Sequence, residues 1–251
     1  MAGHSKWANI KHKKARADAQ KGHLFTKISR ELMVAARQGG GDIDSNFRLR
    51  LAVQKARDVN MPNDNINRAI KKGLGEVDGM KFEEMIYEGY GPGGVAILLE
   101  IMTDNRNRTA SELRNIFTRH NGNLGETGCV AWMFTRRGYI SLSKDKVDID
   151  EDDLMLLVLE EGAEDFKTEG SSYEIITEPE LLEEVKNSLL NRQFDVDIAE
   201  VTMFPQSVVK VDDEEEGKVL LQLMESLEDH DDVQSVYANF DVSDEIISVG
   251  K

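Results

Sequence analysis

The spacing of apolar residues changes once along this chain, near residue 80, and that change constrains the fold more than any other feature. Before it, apolar residues recur every three or four positions, the period of an amphipathic helix. Phe25, Ile28, Leu32 and Ala35/Ala36 form one such set, closed by Gly39-Gly40-Gly41. Glycine adopts the left-handed conformation that ends helices. Leu49, Ala52/Val53, Ala56 and Val59 form a second set, broken at Met61-Pro62, and Ile66, Ala69 and Ile70 a third that ends at Gly73. Three short helices with tight breaks predict a small helical domain over residues 1–76, with Pro62 in the first turn of the last helix.

Beyond residue 80 short apolar runs alternate with helical patterns. Val95–Ile101 reads as a buried strand, 107–120 as a helix and Val130–Phe134 as a strand. From residue 138 the order is strand (138–143), helix (152–161), strand (164–168), strand (172–177), helix (179–191) and strand (197–204). That β-α-β-β-α-β order is ferredoxin-like. A strand at 208–211, a helix at 215–227 and a strand at 233–240 follow. The predicted class is α+β multidomain: the helical domain, then an α+β domain from 77–134 plus 206–251, interrupted by an inserted acidic ferredoxin-like domain at 135–205. Which sheet the last strand joins stays open.

Charge follows the same division. Residues 1–72 hold 16 Lys+Arg against 6 Asp+Glu, a formal +10, so the remainder carries −26 of the overall −16. A basic block on an acidic body suits docking of one face on a polyanion, because lysine and arginine supply most sequence-independent affinity for phosphate backbones. The expected contacts in the arm are Lys6, Trp7, Lys11, His12, Lys13, Lys14, Arg16 and Lys21. In the helices they are Lys27, Arg30, Arg48, Arg50 and Lys55, with Arg68, Lys71 and Lys72 on a short last helix that could read base edges beside Asn63, Asn65 and Asn67. Thr103-Asp-Asn-Arg-Asn-Arg-Thr109 lies where a strand meets a helix. Asp104 or Asn105 is placed to cap that helix. Arg106 and Arg108 at its start form a secondary anion site.

Other signals are excluded on chemistry. Tyr90-Gly-Pro-Gly-Gly94 lacks the Gly-Lys-Ser/Thr ending of a phosphate loop and reads as a turn between strands. His4, His12 and His23 match no zinc-finger spacing. Asp229-His230-Asp231-Asp232 reads as a polar turn, and Cys129 as a small buried hydrophobe. One cysteine excludes an internal disulfide, and the sequence holds no apolar signal or membrane-spanning stretch, so a cytoplasmic chain is expected. No paired-acid or nucleophile–base signature supports an enzyme such as a nuclease, and no metal or cofactor is expected. No strand carries the aromatic consensus of an RNA-recognition sheet, and the acidic domains suit protein contacts, to ribosome or transcription machinery.

The segments at 3–14 (GHSKWANIKHKK), 46–73 (NFRLRLAVQKARDVNMPNDNINRAIKKG), 87–100 (YEGYGPGGVAILLE) and 103–134 (TDNRNRTASELRNIFTRHNGNLGETGCVAWMF) closely resemble the YebC/PmpR family. The departures are Ile43 where a proline is common, Asn63 for a lysine and Cys129 for a serine. The resemblance implies a helical domain plus two α+β domains, no catalysis and no cofactor. It implies a DNA-binding regulator of transcription or, alternatively, a ribosome- and ribosomal-RNA-binding translation factor that relieves stalls, as its mitochondrial members are translational activators.

Overall fold

The computed structural model describes residues 21–76, 81–243 and 246. The described residues divide into two compact units, those up to 131 together with those from 208 onward, and those from 132 to 207. The first unit begins with helices α1 (Lys21–Gly39), α2 (Phe47–Asp58) and α3 (Asn63–Gly73). Ile28, Leu32, Ala35, Ala36, Leu49, Ala52, Val53, Ala56, Ile66, Ala69 and Ile70 close into one core, the residues the helical period selects. Asn46 fastens the α1–α2 corner. Its carboxamide oxygen accepts from the Leu49 backbone N–H, and its nitrogen donates to the carbonyls of Ala35 and Gly40. Gly40 takes a φ of +86°, and a Cβ on Gly39 would meet the Asn46 side chain at 2.6 Å. Pro62 is the residue before α3 rather than part of its first turn.

The same unit continues with β1 (Glu83–Tyr90), β2 (Ala96–Thr103), α4 (Arg106–Arg119) and β3 (Asn123–Leu124). Gly91–Gly94 is the turn between β1 and β2, with Gly93 at φ +68° and Gly94 at +73°. β1 is a strand that the sequence only implied, because three glutamates dilute its alternation of Met85, Tyr87 and Gly89 inward.

In the other unit, β4 (Phe134–Ser143), α5 (Glu151–Glu160), β5 (Ala163–Glu169), β6 (Ser172–Thr177), α6 (Leu182–Asn191) and β7 (Val196–Pro205) form an antiparallel sheet in the order β5-β6-β4-β7. That is the ferredoxin-like order. Strand alternation sends Ile140, Leu142 and Ile175 to the helices and Tyr139, Ile176 and Ile198 to the opposite face. The chain then returns to the first unit as β8 (Val209–Val211), α7 (Glu214–Glu228), β9 (Val233–Ala238) and β10 (Phe240–Val242). β9 pairs antiparallel with β2, giving the sheet β3-β1-β2-β9, while β8 pairs in parallel with β10. Leu220, Leu223, Met224 and Leu227 of α7 pack with Leu113 and Phe117 of α4 on that sheet.

One expected strand is absent. Residues 130–134 do not pair as a unit: Ala131–Met133 is a short 3₁₀ turn, and β4 starts at Phe134 and runs on to Ser143. The cause is Glu88. Its carboxylate accepts from the backbone N–H groups of Gly128 (2.6 Å), Val130 (2.7 Å) and Ala131 (2.7 Å), which takes the first two donors of the expected strand out of any ladder.

Candidate nucleic-acid interface

The cations of the helical domain fall into two classes, separated by what their side chains already touch. On α1, Lys27 donates to the Glu228 carbonyl at 2.5 Å with the Glu228 carboxylate at 3.9 Å. Arg30 pairs with Asp232 at 2.8 Å, reaches the carbonyls of Asp231 and Met102, and lies over the Phe82 ring. His23 meets Asp231 at 3.0 Å. On α2, Arg48 pairs with Glu84 and bonds Gln38, which also bonds Glu84. Lys55 pairs with Glu31 at 3.1 Å. These charges join the helical domain to β1 and to the α7–β9 corner, or join helices to each other. Positive charge in the first seventy residues therefore has an internal use as well as an external one.

Asp232 is the hub of these contacts. Its side chain is 2 % exposed and accepts from Thr109 (2.6 Å), Thr103 (3.1 Å), Arg108 (3.0 Å) and Arg30. Burial by itself pushes its carboxyl up. The bonds from Thr109 and Arg108, the charge of Arg30 and the Thr103 bond outweigh that, and hold it below the ordinary carboxylate range. Arg108 is held above the usual arginine value by Asp232 and Asp104.

This corrects two readings of the sequence. Asp229–Asp232 is more than a polar turn, because Asp232 points inward. The anion at the start of α4 is a carboxylate of the same chain, so Arg108 is already paired. Asn105 caps α4 by accepting from the Arg108 N–H. Arg106 is exposed, 3.9 Å from Glu83.

Glu112, His230 and Asp232 bring ligand-type atoms within 4.8 Å of one another. His230 bonds Glu112 at 3.0 Å and accepts from the Asp232 N–H. With two guanidinium groups on Asp232, the cluster already has its positive charge, and a divalent cation would have to displace it.

The second class is uncommitted. Among the described residues Arg37, Arg57, Arg68, Lys71 and Lys72 have no carboxylate partner. Arg68 and Lys71 are exposed and fall three residues apart on α3, with Asn67, opposite the buried Ile66, Ala69 and Ile70. Basic residues in the last turn of α3 also suit the negative end of its dipole. The exposed Arg50 donates to the carbonyls of Ile43 and Asp44 and lies 6.0 Å from the Phe47 ring centroid. Lys6, Trp7, Lys11, His12, Lys13, Lys14, Arg16 and the Lys21 side chain lie outside the described residues.

Two buried polar groups, Asn46 and Glu88, went unnoticed in the sequence, and the turn reading of 229–232 hides a third, Asp232. Burial pushes the Glu88 carboxyl up, but its three backbone N–H donors bring it below the ordinary value. Cys129, in the loop that Glu88 holds, is half-buried rather than fully buried, and burial with the Glu88 charge pushes its thiol up. No local pattern marks the partners of Glu88 and Asp232, which lie far along the chain, whereas Asn46 caps α2 and bonds to nearby residues. Among the described residues, no helix is long and apolar enough to cross a membrane.

Two family models match consecutive stretches of the chain. The model of the TACO1/YebC protein N-terminal domain matches residues 5–76, and that of the TACO1/YebC second and third domain matches residues 82–240. A protein of Natranaerobius thermophilus, named a probable transcriptional regulatory protein, is 62 % identical over 251 residues, all of both chains. One of Desulfitobacterium hafniense with the same name is 57 % identical over 98 % of each. The crystal structure of a conserved hypothetical protein from Aquifex aeolicus superimposes with a TM-score of 0.83 at 48 % identity, covering 96 % of this chain and 99 % of that one.

Proposed function

The chain belongs to the TACO1/YebC family, and on that footing we propose that it is a non-catalytic regulator of gene expression that binds nucleic acid, with DNA as its target in the control of transcription. The names of its bacterial relatives support the regulatory reading. The observation that carries the binding reading is the set of exposed cations with no carboxylate partner among the described residues, led by Arg68 and Lys71 on the outer face of α3. A cation already paired inside the protein must break that pair to meet a phosphate; these need not. Lys27, Arg30 and Arg48 accordingly serve to hold the helical domain, and the contact surface is the arm together with α3.

The mechanism is electrostatic docking of the arm and α3 on the phosphate backbone. Asn63, Asn65 and Asn67 lie beside the cations as exposed groups able to meet base edges. The acidic remainder of the chain limits contact to this face by repulsion.

Fluorescence anisotropy with labelled duplex DNA and with structured ribosomal RNA tests the reading. R68E/K71E is expected to weaken binding at least tenfold and to lower the slope of log K against log salt by about 2, on the basis of about 0.9 per phosphate contact for B-DNA. Unchanged affinity and slope would remove α3 from the interface. Binding to the RNA with none to DNA would replace transcription with translation as the process regulated.

A further inference from the structure

Helix α5, in the unit of residues 132–207, carries six consecutive apolar residues, Leu154–Leu159. A helix on one side of a single sheet can bury only a stripe of them. Leu154 and Val158 are fully buried and Leu157 packs beside them. Leu156 is 56 % exposed and Leu159 41 % exposed, with Met155 half-buried.

Helical geometry puts Leu156 at the centre of a patch. Asp152 and Asp153 lie four and three residues before it, Leu159 and Glu160 three and four after, so all four are its neighbours on the helix surface. Asp152, Asp153 and Glu160 are exposed and, among the described residues, have no Lys or Arg partner. Their helix-mates differ: Glu151 accepts from Thr168 and Glu161 pairs with Arg192. The unit as a whole holds 19 Asp+Glu against 7 Lys+Arg.

An apolar pair ringed by unpaired carboxylates has a definite complement. We infer that this face of α5 is a docking site for a basic amphipathic segment of a partner protein, with leucine-type side chains seated on Leu156 and Leu159 and Lys or Arg side chains meeting Asp152, Asp153 and Glu160. A nucleic acid is excluded as occupant by the same carboxylates, and a second copy of this helix would set like charges against each other. The inference does not depend on the nucleic-acid reading above, because no residue is shared between the two surfaces.

The test uses the full chain and two labelled fifteen-residue helical peptides, one of lysine and leucine in amphipathic order, the other with serine at every leucine. At 150 mM salt the first is expected to bind at least tenfold more tightly than the second. L156S/L159S, a surface change that leaves Leu154 and Val158 in place, is expected to weaken the first peptide about tenfold and leave the second unchanged. D152N/D153N/E160Q is expected to weaken both and flatten their salt dependence. Equal binding of the two peptides, or indifference to L156S/L159S, overturns the inference. So does concentration-dependent self-association of the wild type that L156S/L159S abolishes, since the occupant is then a second copy.

Discussion

Replacing Asp232 with asparagine keeps the shape of a side chain that accepts from four others, removes its charge and turns one acceptor oxygen into an NH2 donor. Two guanidinium groups lose their counter-ion, and the two are not equivalent. The Arg30 side chain is 12 % exposed, so its pair with Asp232 belongs to the buried class, where loss of one partner costs about 3–5 kcal/mol. Arg108 is 42 % exposed and keeps Asp104 at 2.8 Å, so its share is on the scale of a surface pair, about 0.2–1 kcal/mol. Arg30 retains the carbonyls of Met102 and Asp231, which places D232N near the lower end, about 3 kcal/mol. For a unit of this size that is roughly a 6–12 °C fall in melting temperature.

Calorimetry is the assay, because it separates this unit from residues 132–207, whose transition is expected to stay where it is. The loss also has a pH signature. The folded Asp232 carboxyl titrates below its unfolded value, so its contribution is complete above the unfolded pKa of about 4 and disappears as pH falls through the folded one. Wild type and D232N are expected to differ most at neutral pH and to converge on acidification. A fall of less than about 2 °C at pH 7, or a gap that widens in acid, would refute the assignment of Asp232 as the electrostatic hub. A double-mutant cycle with R30M should return a coupling well above that with R108M.

Glu88→Gln leaves the loop at 125–131 with one acceptor for three N–H donors, so amide exchange at Gly128, Val130 and Ala131 should accelerate while the cores of α4 and α7 stay protected. The expected cost is about 1–3 kcal/mol. Gly138→Ala puts a Cβ 2.1 Å from the Thr177 hydroxyl and 3.1 Å from Leu182, and should destabilise the ferredoxin-like unit alone by about 1–3 kcal/mol, read as a lower second calorimetric transition.

What the sequence determined by itself is the architecture, through properties that act over a few residues. Periodicity placed α1, α2 and α3 and picked out Ile28, Leu49 and Ile66 as core, because an amphipathic helix must bury its apolar stripe wherever it packs. The β-α-β-β-α-β order of residues 134–205 was legible for the same reason, as was a cap at Asp104 or Asn105, which the structure makes Asn105. The partners of charges were not legible. Arg30 and Arg68 look alike in a string of letters, each a cation on an amphipathic helix. One ends against Asp232, 202 residues away, and the other has no carboxylate partner among the described residues. Likewise nothing near Glu88 announces that it will collect three N–H groups forty residues on and erase a strand. A hydrophobic pattern states which side of an element is buried without naming its neighbour, whereas an ion pair exists only between two named atoms. Only the tertiary fold, by closing those long loops, decides which of the basic residues are left to meet something else.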